Sequence, residues 1–209
     1  MVSFAQSERV ALCQTFLTVG PDSPTLCEGW TTRDLAAHLV VRETRPGAAL
    51  GIVSGALAGR TARVQAAVAT TPWTRLVARV RYPPWWTPLS RGPFAEAVNR
   101  AEFFVHHEDV LRAQPSWKRP RAVAADHADA LWADVQRRAG MLLRDSPVAI
   151  RLTRSGSGAS IVPRIPAARD GEPTVEVIGE PGELLLYLQG RETHADVTVD
   201  GDPSGIANR

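Results

Sequence analysis

The spacing of apolar residues changes once along this chain, near Pro147, and that change constrains the fold more than any other feature of the sequence. Before it, apolar side chains recur at three- and four-residue steps; after it, they alternate. A period near 3.6 lines one face of a helix and a period of two lines one face of a strand, so neither segment can take the other's architecture without turning its apolar side chains to water. The chain therefore reads as an all-α part, residues 1–146, followed by a small α+β part, residues 147–209.

Within the first part, Val10, Leu12, Phe16 and Leu17 mark a helix from Phe4 to about Val19, ended by Gly20 and Pro21. Thr31 can cap a second helix that runs to about Thr44, with Asp34 three positions later in a variant of the capping box. Residues 47–70, rich in Ala and Gly, read as weakly phased helix, and Thr71-Pro72 can start another short one because proline is tolerated in the first turn. The stretch YPPWWTPLSRGP reads as a loop, since its four prolines remove donors and restrict their neighbours. There Trp85 and Trp86 either pin the loop to the helices or form the mouth of a pocket. Residues 93–113 make the clearest helix, closed by Pro115, and residues 124–144 a last long one. Beyond Pro147, AIRLTR and ASIVPRI flank SGSG as a β-hairpin, while TVEVIG and ADVTVDGD are strands around the helix PGELLLYLQGR. A part of about 60 residues is marginal alone, so it is expected to pack against the helices.

Composition excludes several classes. With 24 Lys plus Arg against 22 Asp plus Glu, the chain has no general attraction for a phosphate backbone, and nucleic acid is not an expected partner. The opening MVSFAQSERV carries no export signal and no window approaches the length of a membrane span, so a cytoplasmic protein without a membrane partner is expected. Cys13 and Cys27 form no close pair and read as reduced, packed thiols.

The chemistry lies on helix 93–113, where a turn of 100° per residue places Glu102, His106 and Asp109 on one stripe flanked by Val98 and Val105. A carboxylate among apolar side chains is costly unless paired or coordinated, so this face asks for a cation. Glu-x-x-x-His offers two ligands from successive turns of one helix, a spacing that also occurs on ordinary solvated faces. His38, bordered by Leu35, Leu39 and Val41, is the candidate third ligand, although a lone histidine in such a setting is commonly a satisfied core residue.

The phrase GWTTRDLAAHLVVRE, paired with EFFVHHEDVLRA downstream, resembles the DinB-like bundles of the mycothiol-dependent maleylpyruvate isomerase family, and the likeness extends over most of the chain. The resemblance implies an N-terminal four-helix bundle holding a divalent metal through His, Glu and His, followed by a sterol-carrier-like C-terminal domain. By position the ligands fall on His38, Glu102 and His106. Three protein ligands leave a position for water or substrate, as in catalytic zinc sites. Zinc is the expected ion, though the donors also suit nickel, iron or manganese. Asp34 and Asp109 can orient the ligating histidines or act as caps, and His107, about 100° around the helix from His106, is expected outside the metal shell. Arg191, near the chain's end, matches an arginine that the family uses from its C-terminal domain. It would anchor a substrate carboxylate, or else meet the carbonyl end of the preceding helix. Two functions follow: a mycothiol-dependent isomerase or thiol transferase acting on an electrophilic small molecule, or a noncatalytic metal-binding or thiol-sensing module. An open fourth coordination position separates the first from the second.

Overall fold

Ser3 starts the first helix by accepting a hydrogen bond from the Gln6 backbone N–H at 3.1 Å, which satisfies one of the donors every helix leaves open at its N-terminus. Glu96 takes two more, from the Ser3 hydroxyl and from the Ala5 N–H at 3.1 Å. The computed structural model describes residues 3–44, 58–87, 92–166 and 175–202. Among them the helices are α1 (Phe4–Val19), α2 (Thr32–Thr44), α3 (Ala58–Ala69), α4 (Trp73–Arg81), α5 (Pro93–Arg112), α6 (Ala125–Leu142) and α7 (Pro181–Leu188). The strands are β1 (Ile150–Arg154), β2 (Ser160–Ile161), β3 (Val175–Gly179) and β4 (Val197–Asp200). Residues 47–57 of the Ala/Gly-rich stretch and 88–91 of the proline-rich loop lie outside the described residues.

By contacts the chain divides into two compact units between Trp117 and Lys118. In the first, α1 packs on α4 and α5, and α2 packs on α3 and α4. Leu12, Phe16, Leu35, Leu39, Leu76 and Phe103 are completely buried there, each stabilising the fold by about 1.5–3 kcal/mol. A buried arginine ties four of these helices. Arg9 of α1 donates both terminal nitrogens to the Glu43 carboxylate of α2, gives a 2.7 Å bond to the Val80 carbonyl of α4, and lies 4.2 Å over the Phe103 ring of α5. Arg33 of α2 donates to the carbonyls of Ala69 at 3.0 Å and Thr71 at 3.2 Å, satisfying groups at the C-terminal end of α3.

The second unit is α+β. Its sheet has the order β2-β1-β3-β4, with β1 antiparallel to β2 and parallel to β3, and β3 antiparallel to β4. The expected hairpin is present, with Leu152 opposite Ile161. Helix α7 is buried along its whole length and packs on β1, β3, β4 and α6. Contacts thus group α6 with the C-terminal elements, whereas the period of its apolar residues had placed it in the helical part ending at residue 146. Periodicity reveals that a helix has an apolar face but not which partner covers it.

Candidate metal centre

Helix α2 presents His38 because its first turn is fixed by a reciprocal cap. The Thr31 N–H and hydroxyl donate to Asp34 Oδ2 at 3.0 and 2.7 Å, and the Asp34 N–H returns to Thr31 Oγ1 at 3.4 Å. Asp34 is therefore the capping acid of α2. One turn on, buried Leu35 and Leu39 fix the helix's rotation, and the Trp30 ring tilts against His38 with centroids 5.1 Å apart.

Across from it, α5 carries Glu102 and His106 on successive turns. Glu102 Oε1 lies 3.4 Å from His38 Nε2 and 3.3 Å from His106 Nε2, and the three donor atoms all fall within 4.8 Å of one another. Tetrahedral zinc with nitrogen and oxygen ligands at its ordinary bond lengths separates neighbouring N and O atoms by about 3.3 Å, close to both separations at Glu102, so the donor types and spacing present fit such an ion. Their side chains are 8%, 23% and 13% exposed for His38, Glu102 and His106, so the group is largely shielded from water.

One neighbour was not foreseen. Arg42, one turn beyond His38 on α2, places its Nε 3.0 Å from Glu102 Oε1 and donates from Nη1 to Asn99 Oδ1 at 2.8 Å. The cation that a buried Glu102 demands is thus partly supplied by the protein itself. Burial alone would raise the Glu102 carboxyl, but hydrogen bonds from His106 and His38, with the charge of Arg42, outweigh it and hold the group well below the usual carboxylate range. Burial lowers His38 below the ordinary imidazole value, against the pull of Glu102. Burial acts the same way on His106, yet its hydrogen bonds to Asp109, Cys27 and Glu102 dominate and raise it well above that value.

The far side of the His106 ring explains that rise. Its Nδ1 lies 2.9 Å from Oδ2 of the fully buried Asp109, an acid placed to fix the ring's orientation and tautomer. The Cys27 thiol is 3.3 Å from the same oxygen and 3.9 Å from Nδ1. Cys27, read from sequence as a packing residue, sits in the loop before α2, where the Leu26 N–H bonds the Asp109 carbonyl at 3.0 Å. No sequence spacing could signal it, because a loop has no period. Arg42, by contrast, lies four residues from His38 and was open to the same helical argument.

His107 turns away into a separate buried group, with Nδ1 3.1 Å from Glu8 Oε2 and Nε2 3.0 Å from Thr15 Oγ1. Trp85 and Trp86 are both exposed, and Trp86 lines a surface hollow with Thr44, Arg79, Tyr82 and Pro84. In the second unit, Gly190 ends α7 with φ of 80°, and the Arg191 and Gly190 N–H groups bond back to the carbonyls of Leu186 at 3.0 Å and Tyr187 at 3.3 Å. That closure needs the left-handed backbone glycine tolerates and fixes the position of Arg191, whose Nη1 donates to the Gln189 carbonyl.

No protein-family model matches the sequence, and no curated protein matches it significantly. Solved structures do. A crystal structure of a histidine-to-alanine variant of the mycothiol-dependent maleylpyruvate isomerase is similar in fold with a TM-score of 0.64, at 16% identity over 98% of this chain and 93% of that one. A crystal structure of the mycothiol-dependent maleylpyruvate isomerase gives a TM-score of 0.58 at the same identity and coverage. The similarity of fold expected from the two helix phrases is therefore found, and no described helix is long and apolar enough to cross a membrane.

Proposed function

We propose that this chain is a divalent-metal-dependent enzyme that uses mycothiol on a small electrophilic substrate, as an isomerase or a thiol transferase, with a DinB-like arrangement of its N-terminal helices. His38, Glu102 and His106 would hold the metal, zinc by the chemistry of the donors. The observation that carries the reading is the convergence of these three donor atoms from two helices. The fold shared with structures of a mycothiol-dependent isomerase supports the choice of thiol.

A divalent metal supplies a positive charge that makes a thiol easier to deprotonate at neutral pH. The chain's residues do the rest. Asp109 holds the His106 N–H on the side away from Glu102, so that Nε2 carries the free lone pair. Arg42 keeps Glu102 ionised and limits its rotation. Arg191 would offer a planar pair of N–H donors to a substrate carboxylate, in addition to the bond it gives Gln189.

Elemental analysis of the purified chain, followed by a conjugation assay on electrophilic acids with and without mycothiol, tests the reading. It expects close to one metal per chain and turnover that requires both metal and thiol. A chain that takes up no metal on reconstitution, or whose turnover is indifferent to mycothiol, overturns it.

A further inference from the structure

The His106 ring stands between two groups of donors. Its Nε2 faces Glu102 and His38, and its Nδ1 faces Asp109 and Cys27. A neutral imidazole has one lone pair and one N–H, and a ligating histidine is held best when that N–H meets a carboxylate. Both tautomers satisfy the condition. With the proton on Nδ1, Asp109 accepts it and Nε2 is the ligand; with the proton on Nε2, Glu102 accepts it and Nδ1 is the ligand.

We propose that Cys27 Sγ, His106 Nδ1 and Asp109 Oδ2 form a second metal pocket, alternative to the first, that selects soft thiophilic ions. Tetrahedral coordination at ordinary zinc bond lengths puts sulfur about 3.6 Å from a neighbouring N or O, and N about 3.3 Å from O. The separations here are 3.9 Å for Sγ to Nδ1, 3.3 Å for Sγ to Oδ2 and 2.9 Å for Nδ1 to Oδ2. Each needs a shift of no more than about 0.4 Å to meet that geometry. On binding, the Cys27 S–H proton leaves to solvent as the sulfur–metal bond forms, and the ring gives up its Nδ1 proton to solvent while Nε2 keeps its own. Because one ring serves both pockets, they fill in turn. A thiolate favours cadmium most strongly, whereas a site of two imidazoles and a carboxylate accepts zinc, manganese, nickel or iron. The pocket shares His106 with the proposed function but does not depend on any turnover.

Cadmium titrated into the metal-free chain tests it. The ultraviolet thiolate-to-cadmium charge-transfer band should grow to one equivalent, persist in Cys13→Ser and His38→Ala, and vanish in Cys27→Ser. Cadmium-113 NMR of the unaltered chain, which needs no variant, should place the resonance in the range of sulfur coordination. A band that survives Cys27→Ser, or a resonance in the range of nitrogen and oxygen ligands alone, overturns the pocket. Manganese binding reports on the other position: if His38→Ala keeps the cadmium band and also binds manganese undiminished, the reading of His38 as a ligand fails while the second pocket stands.

Discussion

His106 and His107 are adjacent in sequence and separate in chemistry. His38→Ala, Glu102→Ala and His106→Ala should each greatly weaken retention of manganese or nickel, because the three ligands leave no redundancy for ions that the Cys27 pocket does not favour, and elemental analysis after dialysis reads the loss. His107→Ala should keep the metal and instead cost about 1–3 kcal/mol in urea unfolding, since it removes an imidazole that bonds the buried Glu8 carboxylate. Metal retention lost with His107 but kept without His106 would reverse the assignment. The raised His106 predicts a pH effect of definite sign. In the metal-free fold the ring stays protonated to higher pH than an ordinary imidazole, so it stabilises that fold at low pH and the contribution fades as pH rises through its folded-state value. Metal uptake must displace that proton. Affinity should therefore rise with pH, and calorimetry at pH 7 in buffers of different ionisation enthalpy should detect proton release; none would mean that the ring is already neutral. At this scale helical spacing paired Glu102 with His106 and the family resemblance added His38, but neither revealed the thiol behind them, which a loop delivers.

Helix boundaries were legible where caps and breakers write them: Gly20-Pro21 closes α1, the Thr31–Asp34 pair opens α2, and Pro93 opens α5. What covers a helix was not, and α6 is the instance, because its apolar stripe does not name the helix, α7, that packs on it. Nor did periodicity reveal the tie made by Arg9, a charged residue 3% exposed between helices. Arg9→Ala should destabilise the chain by about 3–5 kcal/mol in urea unfolding, since it leaves Glu43 buried without its partner. A loss under about 1 kcal/mol would place that pair among exposed ones. At the end of α7, Arg191→Lys keeps a positive charge near the helix carbonyls but loses the planar donor pair. Under the proposed function, metal content and stability persist while turnover on an acid substrate collapses; full turnover in the variant, or lost stability with turnover spared, removes Arg191 from the substrate's path.

For the molecule as a whole, the centre lies entirely within residues 1–117, so a bound metal should protect that unit. At a free concentration 100 times its dissociation constant, an ion stabilises the state that binds it by about 2.7 kcal/mol. Hydrogen exchange should slow in α2 and α5 on adding metal, with the β1–β4 amides unchanged. Chelation should lower the melting temperature only modestly, because Arg42 continues to compensate Glu102 when the ion is gone. Equal slowing throughout the sheet would contradict this picture. The pairing of α1 with α5 also carries a consequence for synthesis. Glu8 and Thr15 leave the ribosome roughly 90 residues ahead of the helix that receives them, and at about 5–20 residues per second α1 waits several seconds with those groups in water. During that interval no ion can be captured, since Glu102 and His106 have not been made. The arrival of α5 is therefore the event that both covers those groups and completes the donor set.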